Sequence, residues 1–156
     1  MATLLGIELR GFYQEEHDRG IYYEGKLFVD GEQIGVFENK GIGGCTDLSI
    51  QTAHRKAVYN KLQARFPEKQ DVDLEEKFVE ELIALHEAEE VYKEQNKPIL
   101  LETYSYDDDT PITELTWEEL GPKFYAPETE EEIELVITSH KPKRYNVYRS
   151  LADFQK

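Results

Sequence analysis

Residues 29–49, "VDGEQIGVFENKGIGGCTDLS", decide how the first half of this chain folds. Asp30-Gly31 predicts a two-residue hairpin turn, because both central positions of such a turn need positive φ and Asp-Gly accepts it. Counting outward from that turn pairs Val29 with Glu32, Leu27 with Ile34 and Gly25 with Val36. The flanking segments "IYYEGKLFV" and "EQIGVFE" are rich in aromatic and β-branched residues and read as strands. Upstream, "LLGIELRGFY" places Leu5, Ile7 and Leu9 on one side and Glu8 and Arg10 on the other, the period of a strand with one face on a core. "EEHDRG" reads as the polar turn that follows it. Glycines at 6, 11, 25 and 35 mark bulges or close approach of another backbone. The expectation is an antiparallel meander over residues 3–38.

Beyond the glycines the period changes. In "DLSIQTAHRKAVYNKLQARF", Ile50, Ala53, Ala57, Val58, Leu62 and Phe66 recur at helical spacing. The pattern predicts a helix over 48–66, capped by Asp47 or Ser49 and stopped at Pro67. Arg55, Lys56, Lys61 and Arg65 fall on its outer side. A second helix is expected over 73–95, opened by Asp73 with Glu76 three residues later as a capping box. Leu74, Phe78, Val79, Leu82, Leu85 and Tyr92 form its apolar stripe. At about 100° per residue, Glu76, Glu80, Glu87, Glu90 and Glu94 align on another side. An antiparallel helix pair would set a basic face against an acidic one.

The last third is more ambiguous. "PILLETYSY" reads as a strand, "YDDDTP" as a turn, "WEEL" as a short turn capped by Thr116, and "RYNVYRSL" as a last strand. "IELVITSH" fits a strand by its β-branched residues, yet Thr129 ahead of Glu130–Glu132 fits a helix cap. Both remain open from the sequence. The fold class expected is α+β: a single domain over 1–156, with an antiparallel β-meander packed against two helices and additional C-terminal strands.

Composition bounds the function. The net charge is −15, and it is unevenly spread. Residues 68–134 hold twenty-three acids against five Lys/Arg, a net −18, while residues 135–156 are net +4. An acidic surface repels phosphate backbones, so no direct nucleic-acid binding is expected. No apolar run approaches the roughly 18 residues of a membrane span. The first residues lack a secretory pattern, and a single cysteine makes no internal disulfide. A cytoplasmic protein is expected. Lys141, Lys143, Arg144 and Arg149 are expected to pair with the protein's own acids.

Motifs of chemistry are sparse. Gly20 to Lys26 has the spacing of a phosphate-binding loop, but Leu27 stands where Ser or Thr would hold magnesium, and a strand follows instead of a helix. His17, His54, His86 and His140 lack metal-ligand spacing, so no metal and no cofactor are expected. His86 reads as a core histidine and Asp107–Asp109 as a solvated turn. Asn39, Gly41, Gly43, Gly44 and Cys45 form an alternative loop site, where backbone N–H groups would line an anion nest or a thiol would act as nucleophile. The competing expectation is a structural connection that ends the third strand and starts the first helix, with Cys45 a small buried thiol. Of the tyrosines near the strands, such as Tyr13, Tyr22, Tyr23 and Tyr145, most are expected to pack, with a subset open to a protein partner.

Residues 20–50 resemble a pattern in small uncharacterised proteins of phages and mobile elements. In that pattern a "DGKxxG" hairpin is followed by an "NDGxGG" turn and a helix. The matching residues are Asp30, Gly31, Gly35, Asn39, Gly41, Gly43 and Gly44, and Lys40 departs from it. The resemblance implies phage or prophage origin and brings no catalytic residues. With no coherent catalytic set, the expected function is a non-catalytic acidic module, an inhibitor or adaptor. It would bind a cytosolic protein with a basic surface through Glu76, Glu80, Glu87, Glu90 and Glu94, with nucleic-acid mimicry as its sharpest form. The alternative is a small-ligand or thiol-dependent site at Gly41–Cys45.

Overall fold

A computed structural model describes residues 1–156, the side chain of Ile112 apart. The fold is α+β, with antiparallel sheets and three helices. The chain gathers into two compact units, Met1–Glu87 with Phe154–Lys156, and Ala88–Asp153.

The first unit is built on a five-stranded antiparallel sheet in sequence order: β1 Thr3–Leu4, β2 Ile7–His17, β3 Gly20–Val29, β4 Glu32–Asn39 and β5 Asp47–Ile50. Two hairpins turn on residues with positive φ at both central positions: Leu5-Gly6 (57° and 77°) and Asp30-Gly31 (49° and 82°). The first of these splits the expected first strand into β1 and β2. Strand β2 also runs on through Glu15, Glu16 and His17, so the polar turn shrinks to Asp18-Arg19.

Two bulges re-aim the side chains. Val29 pairs with Glu32 as the turn requires, but Leu27 then pairs with Gly35 and Gly25 with Phe37. The extra residue is Ile34, fully buried, whose carbonyl accepts from Gln51 N at 2.8 Å. Beside it, a Cβ on Gly35 would collide with the Ser49 carbonyl of β5. The second bulge lies between Arg10 and Tyr13, with Gly11 at φ 61°. A one-residue insertion reverses which side chains face inward. Beyond it Phe12 and Gln14 face inward, where an unbroken strand would have turned Tyr13.

Helix α1 spans Thr52–Arg65 and starts four residues later than its periodicity suggests. Leu48 and Ile50 share the period of both structures, and here they belong to strand β5, paired with Phe37 and Gly35. Gln51 takes the cap position, without a side-chain hydrogen bond, so neither Asp47 nor Ser49 caps the helix. Only Val58 and Leu62 of α1 are buried, while Ala53 and Ala57 are exposed. Helix α2 spans Asp71–Glu94. Asp73 lies inside its first turn, and Glu76 is engaged elsewhere, so the expected capping box does not form. Leu74, Phe78, Val79 and Leu82 of α2 join Leu4, Ile7, Leu9, Leu27, Ile34 and Phe37 of the sheet in one apolar core. Of the basic row on α1, Arg65 reaches α2, pairing with Glu81 at 3.2 Å. Tyr59 donates to Glu75 at 2.6 Å.

The second unit is centred on β6, Leu100–Tyr104, flanked by β7, Lys123–Tyr125, and β8, Arg144–Tyr148. These later strands form a sheet of their own and do not extend the first one. The ambiguous segment is a helix, α3 Glu130–His140, capped by Thr129, whose hydroxyl accepts from Glu132 N at 3.3 Å. Its β-branched residues Ile133, Val136 and Ile137 lie one turn apart and pack with Ile99 and Leu101. Tertiary burial outweighs their strand preference. Every position of β6 is buried, including Glu102, whose Oε1 accepts from Asn146 at 2.9 Å and Tyr148 at 3.3 Å. Burial, with the Glu102 charge adding to it, pushes the Tyr104 and Tyr148 phenols well above their ordinary range.

Candidate functional site

The glycine loop connects β4 to β5, not a strand to a helix, and its polar groups turn inward. Asn39 is its centre. Its Oδ1 accepts from Gly41 N at 2.9 Å, and its Nδ2 donates to Thr46 Oγ1 at 3.1 Å and to the Gly44 carbonyl at 3.3 Å. Thr46 is buried; its hydroxyl shares a 2.5 Å hydrogen bond with Tyr23, and its N–H donates to Glu76 at 3.1 Å. Gly41 is required twice over. It has φ 71°, and a Cβ would stand 2.7 Å from the Ile21 and Tyr22 backbone. Gly43 has φ 84° in open space, and Gly44 has no positive φ and no close neighbour. Asn39, Gly41 and Gly44 are thus committed to one another and to Thr46. Cys45 is exposed, which corrects the expectation of a buried thiol.

The acidic row on α2 divides by role. Glu76 is half-buried and holds Thr46 N. Glu80 and Glu87 line an open groove of about 280 Å³ between α2 and the inner face of β2 and β3. Phe12, Ile21, Tyr23 and Ile83 supply its apolar walls. Phe12 meets His86 edge-on at 5.6 Å between centroids, which places the half-buried His86 at the side of this packing. Tyr23 joins loop and groove: burial raises its pKa first, and the charges of Glu80 and Glu76 raise it further. Further along α2, Glu90 is exposed and lies 3.6 Å from Lys93, and Glu94 is exposed in the last turn.

The outer edge of β2 borders the groove. Strand β1 pairs with β2 only through Ile7 and Glu8. From Gly11 to His17, β2 pairs with β3 alone among the described strands, and every residue but Phe12 is exposed. The outer edge of β1, by contrast, is covered: Leu5 N donates to the Lys156 carbonyl at 2.6 Å, and Lys156 N donates to the Thr3 carbonyl at 2.8 Å.

The sequence did not single out Phe12, Ile21 or Ile83 as site residues. Gly11 was the available signal, because a glycine inside a strand marks a bulge. Its phase, and so the residues it turns inward, is set by the pairing with β3. In the second unit two of the four basic tail residues meet the protein's own acids: Arg149 forms a two-pronged pair with Glu130 at 2.7 and 2.8 Å, and Arg144 lies 3.7 Å from Asp108. Among the described residues, no cluster of His, Cys, Asp or Glu is arranged to hold a metal ion. No described helix is long and apolar enough to cross a membrane. No family model, no curated protein and no solved structure matches this chain.

Proposed function

We propose that this chain is a non-catalytic acidic module that binds a cytosolic protein with a basic surface. The observation that carries the reading is the pairing of Glu80 and Glu87 with an apolar groove on a chain of net charge −15. Carboxylates at the rim steer and select a cationic partner, and the apolar wall supplies the area that holds it. Glu90 and Glu94 are also exposed on α2. The resemblance of residues 20–50 to phage and mobile-element proteins suggests the biological form, an inhibitor or adaptor carried by such an element. A peptide-display selection on the immobilised protein tests the reading. Ligands enriched in Lys and Arg with apolar anchors, weakened by added salt, are expected. Enrichment of acidic or uncharged ligands, or no enrichment, would contradict it.

One observation favours the alternative: Cys45 is free and exposed in the glycine loop. Alkylation with iodoacetamide separates the two. Under the binding-module reading, the alkylated protein retains its basic ligands unchanged.

A further inference from the structure

We propose that the ligand is a basic segment in extended conformation, which adds as a strand to the free edge of β2 along Gly11–His17 and seats an apolar side chain in the adjoining groove. The inference rests on the acidic-module reading and specifies its site and binding mode.

Three observations meet here. Among the described residues, the side of 11–17 that faces away from β3 has no strand partner, and every residue there but Phe12 is exposed. Exposed edges of this kind accept a further strand by main-chain hydrogen bonding. The Gly11 bulge turns Phe12 and Gln14 inward, so the groove opens along the same side of β2 that an added strand would follow. In such a strand alternate side chains point toward the groove. Finally, the charges choose the occupant. Glu15 and Glu16 lie on the edge strand itself, Glu80 and Glu87 line the groove, and among the described residues no Lys or Arg lines it. A second copy of this chain pairing edge to edge would bring together two strands that each carry Glu15 and Glu16, and like charges on neighbouring strands are unfavourable. A strand carrying Lys or Arg with alternating apolar residues satisfies both the backbone and the field.

The probe is an acetylated, amidated octapeptide of alternating lysine and valine, with a second version carrying proline at two central positions. Amide hydrogen exchange of the full chain is followed with and without each peptide. The alternating peptide is expected to slow exchange within residues 11–17 by about tenfold or more, and the proline version to bind at least about tenfold more weakly. Ile21→Lys places a cation at the mouth of the groove at a side chain already 51% exposed, so the fold is retained. It is expected to lower affinity for the alternating peptide about tenfold. Ala84→Phe, which fills the groove, is expected to act the same way. Binding with protection elsewhere and none in 11–17 overturns the inference and leaves the acidic-module reading standing. Equal affinity for the proline version overturns it too. So does failure of the alternating peptide to bind while a display selection still recovers basic ligands. Failure of every basic ligand removes both.

Discussion

The loop at 39–46 and the edge at 11–17 are both glycine-punctuated segments of one sheet, but they leave their polar groups in opposite states. In the loop, the Asn39 carboxamide engages Gly41, Gly44 and Thr46, and Thr46 engages Tyr23 and Glu76. Along the edge, the backbone faces outward beside an apolar wall and two carboxylates. A segment that satisfies its own hydrogen bonds has little left to offer a ligand. Buried polar groups must find partners, and a ladder edge in water need not. The difference argues that the glycine cluster is architecture, and it is the reason the proposed binding surface is the neighbouring edge and groove.

The largest effect that would test this contrast is Gly41→Ala. It combines an unfavourable φ with a backbone collision, and a loss of more than about 2 kcal/mol is expected in urea unfolding. A near-neutral result would break the structural account of the loop. Asn39→Ala removes three hydrogen bonds and is expected to lose about 1–2 kcal/mol. Gly43→Ala should lose about 1 kcal/mol through φ alone, and Gly44→Ala should stay within about 0.5 kcal/mol. Equal losses at all three glycines would mean that the loop is held by something other than these contacts.

Tyr23 sharpens the comparison because it belongs to both regions. Its folded-state pKa is raised above the ordinary 10.0 by burial, then by the Glu80 and Glu76 charges, against the lowering effect of its hydrogen bonds with Thr46 and Asn39. The neutral phenol is therefore favoured in the folded state. Its stabilisation is fully present below pH 10 and is lost as pH rises through the raised value. Glu80→Gln is expected to bring the Tyr23 titration back toward 10, read by NMR of the phenol ring carbons, without loosening the loop. An unchanged titration would place Glu80 outside the field of the groove. The smallest effect belongs to Cys45→Ser, where an exposed thiol is replaced and neither unfolding nor affinity for basic peptides is expected to change.

Much of this fold is legible in the residues. Asp30-Gly31 announces its hairpin, Leu74 to Leu82 announce the buried stripe of α2, and Thr129 offers the cap that α3 uses. The misreadings share a cause: each depends on contacts made far along the chain. Leu48 and Ile50 fit either period, and pairing with β4 makes them a strand. The β3–β4 register past Phe28 is shifted by one because Ile34 is buried as an extra residue whose carbonyl meets Gln51. Asp73 and Glu76 have the spacing of a capping box, but Glu76 is drawn to Thr46, thirty residues away. The acidic row was visible as a row; that Glu80 and Glu87 border an apolar groove while Glu76 braces a loop was not. For the same reason Glu76 does not belong in a variant meant to test binding alone.

Groove and loop are separated by the salt dependence of affinity for the alternating lysine–valine peptide, measured together for the unmodified chain, Glu80→Gln/Glu87→Gln and Cys45→Ser. A weaker affinity and a flatter salt slope are expected for the double carboxamide variant, with Cys45→Ser superimposable on the unmodified chain. An unaltered slope in the double variant, or a loss of binding in Cys45→Ser at unchanged stability, would contradict binding at the groove and move the site to the glycine loop.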